Sequence, residues 1–348
     1  MSRELPARAR DRQPTAGSLP DSRVKPSRRG FLQALPLAAA ALASCSRPPY
    51  RRSDFIVPAR SPIALLPAES YDVDLTDAVS RGLSLLGQDV RGKRVFLKPN
   101  VVEYWPDKAV NTDARLVAAA AEAMLKAGAR EVVVGEGPGH RRDVEYLLEG
   151  TGLRDVLADL RVRFVDLNHD DVRRVPLRCN YTGLGAVWLP VEMLQSDYIV
   201  SMPKLKTHHF AGMTASMKNL FGTMPGAVYG WPKNLLHFKG IEQSIVDLAA
   251  TVQPQLAIVD AVLGMEGDGP IMGRPRKVGF VGMGTDLVAL DATCARAIGL
   301  EPDRMAYISV AAEFMGNATE AKIEQRGERL ERYRTQFELV ESVRRLRA

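Results

Sequence analysis

Cysteine is nearly absent from this chain. Three occur in 348 residues, Cys45, Cys179 and Cys294, with no CxxC spacing. The two thiols beyond Cys45 cannot supply the four ligands of an iron–sulfur cluster, which excludes a cluster held by this chain alone. Net positive charge is scarce in the body as well. The net charge is +6, but residues 1–44 hold eight basic residues against three acids, leaving about +1 for the remainder. A near-neutral body lacks the basic face that nucleic-acid phosphates require, so no nucleic-acid partner is expected. No HExxH metal motif occurs. The longest leader run, LPLAAAALA (Leu35 to Ala43), is too short to cross a bilayer.

That run makes sense with its flanks. A basic region ending in SRRGFL (Ser27 to Leu32) precedes it and small residues close it, the pattern of an export signal. Arg28 and Arg29, followed by a mildly hydrophobic, Ala-rich stretch, resemble a twin-arginine signal. LASC (Leu42 to Cys45) resembles a lipoprotein cleavage box, with Cys45 carrying the lipid. The plainer alternative is an ordinary secretory signal with an incidental cysteine. The expectation is export by the twin-arginine route to the periplasmic face and anchoring to a membrane through Cys45. Residues 45–69, including SRPPYRRSD, then read as a tether. Export of folded proteins by this route hints at a cofactor.

From about residue 70 strand and helix signals alternate. RVFLKP (94–99), REVVVGEG (130–137), RVRFVDL (161–167), SDYIVSMPK (196–204), QLAIVDAV (255–262) and RKVGFVGM (276–283) predict strands. TDARLVAAAAEAMLKAG (112–128) predicts a helix capped by Asn111 or Thr112 and closed by Gly128. IEQSIVDLAATV (241–252) and TDLVALDATCARAIG (285–299) also have helical character. Continuous apolar strands between helices predict an α/β fold over 70–325: a largely parallel sheet with helices on both faces. Residues 326–348 predict a charged amphipathic C-terminal helix. Ligands of such sheets lie outside the carboxyl ends of the strands, where the polar clusters fall.

The densest cluster is PKLKTHHFAGMTASMKNLFG, Pro203 to Gly222. It gathers Lys204, Lys206, Thr207, His208, His209, Lys218 and Asn219 without an acid. Such a concentration of donors suits a negatively charged ligand. In an extended segment His208 and His209 point to opposite sides, so at most one faces a site. Met213, Met217 and Leu220, at helical spacing, read as core. Lys98 and Asn100 end a strand before a helix begins, which is either an anion site or a solvated lysine beside a turn. GEGPGH (135–140) could offer amides to a phosphate, yet it is not GxGxxG and lacks the P-loop lysine. Glu136 there would repel phosphate and suits a metal. Asp260, Glu266 and Asp268 follow a strand among glycines. They read as metal ligands, a general base, partners for Lys204 and Lys206, or solvated loop acids. Glu136, His209, His237 and Asp268 are the candidate metal set. Asp286 reads as an N-cap.

FLKPN, AREVVVGEG, PKLKTHHFAGMTASMKNLFG, IVDAVLGMEGDGPIMGRP and GTDLVALDATCARAIG, in order from about Lys93 to Leu300, resemble the bacterial and archaeal family called domain of unknown function 362. The run KTH…T…KN..G is its most specific part. The resemblance implies an α/β domain of unestablished activity. It also implies that Lys98, Lys206, His208, Lys218, Asn219, Asp260, Glu266 and Asp291 belong to the family pattern. Many relatives carry a ferredoxin-like module whose cysteines this chain lacks.

The functional expectation is an envelope lipoprotein enzyme acting on an anionic small molecule or a metal–cofactor adduct. His208, Lys218, Asp260 and Glu266 are the candidate catalytic residues, His208 as proton carrier and the acids as base or metal ligands. Lys98, Asn100, Lys204, Lys206, Thr207 and Asn219 are the candidate ligand-binding residues. The cofactor stays open, with a divalent metal as candidate, and a redox or assembly protein is a candidate partner. The alternative is a non-catalytic lipoprotein that binds an anion or metal for a partner. A third reading makes the clusters internal salt bridges of an assembly factor.

Overall fold

Apolar, β-branched runs build most of the sheet. The structure, a computed structural model, describes residues 48–139 and 143–348; the leader and Cys45 lie outside the described residues. In chain order the strands are β1 Ser61–Pro67, β2 Arg94–Pro99, β3 Glu131–Glu136, β4 Arg163–Asp166, β5 Val172–Pro176, β6 Ala186–Pro190, β7 Tyr198–Met202, β8 Lys204–His208, β9 Gly212–Thr214, β10 Leu256–Glu266, β11 Arg274–Gly284 and β12 Ile323–Gly327. Ten described strands form one sheet, ordered β12-β1-β11-β10-β7-β2-β3-β4, with β8 joined to β10 and β9 to β8. Pairing is parallel except where β11 meets β1 and β10, and where β9 meets β8. β5 and β6 form a separate antiparallel hairpin.

Strands β2, β3 and β7 are buried almost throughout, which is why their sequences are continuously apolar rather than alternating. On one face the helices Leu75–Leu85 and Ala114–Lys126 pack Val79, Leu83, Leu116 and Met124 into a core with Leu66, Val95 and Leu97. On the other, the helices Ile241–Val252 and Leu287–Ala297 bring Ile245, Leu248 and Leu290 to Ile63, Phe96, Val259 and Phe280. Asp286 caps its helix by accepting from the Val288 and Ala289 amides. The helix after β2 is capped by Asp113, not by Asn111 or Thr112. Those two are spent elsewhere: Asn111 accepts from the Val102 amide and donates to the Glu103 carbonyl of the preceding loop, and Thr112 accepts from the Asn100 amide and donates to the Met202 carbonyl of β7.

Two segments depart from the sequence reading. Residues 45–69 are not tether throughout, because Ser61–Pro67 is β1, inserted between β11 and β12 with Ile63 to Leu66 fully buried. Its short apolar run was hidden by charged and Pro-rich flanks. Residues 326–348 are not a helix. β12 ends at Gly327, and 3-10 turns follow at Leu330–Tyr333 and Glu341–Leu346. The apolar residues mimic a helical stripe, but they anchor at separate places: Tyr333 on Phe280, Phe337 at Gly264 and Leu346 at Gly212. Packing overrides local periodicity here. Cys179 and Cys294 are buried and, among the described residues, unpaired. Among the described residues no helix is long and apolar enough to cross a membrane.

Candidate functional site

Because β2, β3 and β7 are parallel, their carboxyl ends share one rim. Lys98 of β2 and Glu136 of β3 meet there. Lys98 Nζ donates to both carboxylate oxygens of Glu136 at 2.8 Å, to the Pro99 carbonyl at 2.9 Å and to Asn219 Oδ1 at 3.2 Å. Asn219 Nδ2 donates back to the Lys98 carbonyl and to Ser201 Oγ, each at 3.0 Å. Glu136 also accepts from the amides of Val101 at 2.9 Å and Gly137 at 2.8 Å. The 3-10 turn Lys218–Thr223 closes over this pair. A Cβ on Gly222 would meet Lys98 Nζ at 2.5 Å and run into the Glu136 carboxylate, so only glycine permits the approach.

β8 leaves the same rim, and strand alternation puts Lys204, Lys206 and His208 in one row. Lys206 Nζ donates to the Val110 carbonyl at 2.7 Å and pairs with no carboxylate among the described residues. His208 Nδ1 accepts from the amides of Phe210 at 3.2 Å and Ala211 at 3.3 Å. Lys218 has no hydrogen-bond partner among the described residues, and its ammonium sits 3.9 Å from the centre of the Phe221 ring. Its turn is held from below by Asp291, whose carboxylate accepts from the Ser216 and Met217 amides at 2.7 and 3.2 Å. Thus Asp291 positions the turn and does not face a ligand.

A hollow with roughly 670 Å³ of empty space, part of it open to solvent, is lined by Asn100, Lys206, His208, Lys218, Lys233 and His237, with Glu136 in its wall. Among the described residues Asn100 Oδ1 is buried without a partner. Burial lowers the pKa of each cation here, and neighbouring positive charge adds to it. Lys206 lies well below the ordinary lysine range from burial, then from Lys218 and Lys204. Lys218 falls to about 8 from burial, then from Lys98. Lys233 falls to about 7, again chiefly from burial. His208 lies well below the usual imidazole range from burial, then from Lys218. Desolvation of the charged form and like-charge repulsion act together.

Several candidates lie elsewhere. Lys204 turns away from the hollow to Asp260: its Nζ donates to Asp260 Oδ2 and to the Tyr71 hydroxyl at 2.6 Å and to the Leu263 carbonyl at 3.1 Å. The Tyr71 hydroxyl donates to Asp260 Oδ1 at 2.7 Å. Glu266 sits at the end of β10, engaged by Arg274 at 2.9 Å and by the Glu338 amide at 3.0 Å. Thr207, on the odd-numbered face of β8, donates to the Gly267 carbonyl at 2.9 Å. His209 follows it there, its Nδ1 donating to the Gly269 carbonyl at 2.8 Å, with Asp268 3.8 Å away. The metal candidates are therefore split, Glu136 and His237 at the hollow and His209 and Asp268 outside it. Among the described residues no group of three or more His, Cys, Asp or Glu side chains could hold a metal ion, and both Glu136 oxygens are taken by Lys98. The donor set does not fit a directly held divalent ion.

Lys233 was missed from sequence. Its backbone is left-handed at φ 68, and its Nζ donates to Asn168 Oδ1 at 2.6 Å and to the Met224 carbonyl. A lysine inside the turn-forming GWPKN segment was the available signal.

The family model for the domain of unknown function DUF362 matches residues 95–296. The thylakoid-associated protein sll1697 of Synechocystis sp. is 29% identical to this chain, across 75% of this chain and 82% of its own length. Among solved structures the chain is similar to the lactate racemase apoprotein of Thermoanaerobacterium thermosaccharolyticum, at 13% identity and a TM-score of 0.37, covering 64% of this chain and 56% of that one. A Thermotoga maritima protein matches at 13% identity and a TM-score of 0.34, over 63% and 58%. The chain thus spans little more than half of either solved structure, and at those scores neither likeness bears on function.

Proposed function

The chain belongs to the DUF362 family, and from that premise we propose that it binds an anionic small molecule in the hollow between Lys206, Lys218 and His208. One observation carries this reading. Lys206 is buried and Lys218 half-buried, and among the described residues neither has a carboxylate partner, while Glu136, the one carboxylate among the described lining residues, is occupied by Lys98. Isolated buried ammonium groups are costly or give up their protons. An incoming anion offsets that cost and draws protons back onto the amines.

An enzymatic role is the preferred form of this reading, since several lowered pKa values in one cleft suit proton transfer. His208 serves as a donor rather than a base, because two amides occupy its Nδ1 and leave Nε2–H for the ligand. Lys206, which burial holds well below the ordinary lysine range, faces the ligand's negative oxygen beside it. A metal, if one takes part, arrives with the ligand. A non-catalytic binding lipoprotein remains the second reading, supported by the same donors. Export and lipid anchoring rest on the leader sequence. Mass measurement of membrane-extracted protein should show an acylated Cys45, lost in Cys45→Ala.

The direct test is thermal unfolding in increasing phosphate, with chloride at matched ionic strength as control. The melting temperature of the wild type should rise with phosphate, and the rise should vanish in Lys218→Met. Equal curves in phosphate and chloride would remove the anion reading.

A further inference from the structure

Two imidazoles in the hollow are held by backbone groups of opposite kind. At His208, the Phe210 and Ala211 amides are donors, so Nδ1 must accept and stays bare. The neutral ring therefore carries its proton on Nε2. At His237, Nδ1 lies 3.2 Å from the Lys233 carbonyl. A carbonyl only accepts, so Nδ1 carries the proton and Nε2 is a lone pair. Both rings line the hollow. A third wall group, Asn100, has a buried Oδ1 with no partner among the described residues. Lys206 and Lys218 supply N–H donors, so the hollow offers donors and at least one unpaired acceptor.

From these opposed tautomers we propose that the hollow selects an anion that also carries a hydrogen-bond donor, a hydroxyl or N–H beside its negative oxygen. His208 Nε2–H and Lys218 hold the negative oxygen, while His237 Nε2 accepts from the ligand's hydroxyl. His237 becomes the specificity-determining residue. When the ligand reacts, it is the group placed to receive that proton: the ligand's O–H breaks, N–H forms on Nε2, and the electron pair stays on the ligand oxygen. An anion with acceptors only would set lone pair against lone pair at Nε2. This rests on the anion-binding reading and deepens it by naming the ligand class.

Hydrogenphosphate and sulfate separate the two claims. Near neutral pH they are alike in shape and charge and differ by one hydroxyl. Binding followed by titration calorimetry on the full chain should favour hydrogenphosphate by a few-fold, the scale of one hydrogen bond at the half-open rim where His237 stands. His237→Phe should remove the preference, weakening hydrogenphosphate and relieving the lone-pair clash with sulfate. Equal affinities in the wild type would overturn the proposal and leave anion binding intact; no binding of either would overturn both. A readout independent of ligand is nitrogen-15 NMR of the histidine rings, assigned with His208→Gln and His237→Gln. His208 should show Nε2–H and His237 Nδ1–H. Finding His237 protonated on Nε2 would refute the arrangement.

Discussion

Lys204 and Lys206 stand two residues apart on β8, both buried and both in the same row of side chains, and they meet opposite fates. Lys204 is closed off: Asp260, Tyr71 and the Leu263 carbonyl use its three N–H groups. Lys206 has one carbonyl, and the charges acting on it are mostly positive, Lys218, Lys204 and Lys98 against Glu136 alone. The difference arises from their neighbours, since Asp260 of β10 is the register partner of Lys204, whereas Met265 faces Lys206. A satisfied buried ion pair is structure. A buried amine left without a counterion is poised for something that brings one.

The largest expected effects come from breaking the satisfied side. Asp260→Asn or Glu136→Gln leaves a buried ammonium unpaired, and either should cost about 3–5 kcal/mol in chemical denaturation. Lys206→Met, on the unsatisfied side, should fall between no change and a small gain in stability. Equal losses at Lys204→Met and Lys206→Met would erase the contrast. Next in size is Gly222→Ala, which pushes a methyl group into the Lys98–Glu136 pair and should cost roughly 1–3 kcal/mol.

The smallest effect is a slope with pH. Folded Lys218 releases its proton near 8, while the unfolded side chain keeps it to 10.5. Between those values the unfolded state binds the extra proton, so this residue makes stability rise with pH. The wild type minus Lys218→Met difference should show that rise, and a flat difference would place Lys218 in solvent. Saturating phosphate should move the rise upward in pH, because a bound anion favours the charged amine.

Much of the architecture was readable because burial on both faces leaves continuous apolar runs, as in β2, β3, β7 and the start of β10. Alternation separated His208 from His209 for the same geometric reason. The parts that were not readable depend on packing. β1 is a seven-residue strand whose partners lie more than two hundred residues away. The C-terminal stretch copies a helical stripe yet spreads across three anchoring points. The helix cap moved to Asp113 because Asn111 is needed by the preceding loop and Thr112 by that loop and the end of β7.

By itself the amino-acid order determined the alternation of strands and helices, the parallel sheet, and a segment crowded with donors at a strand's end. Each follows from local periodicity and side-chain chemistry. Only the tertiary structure decided which of those donors are spent. Lys98 finds Glu136 38 positions away and Asn219 121 positions away, and Lys204 finds Asp260 at 56. Whether a charge is neutralised depends on a few ångströms between strands remote in the chain, and spacing along the chain does not carry that distance.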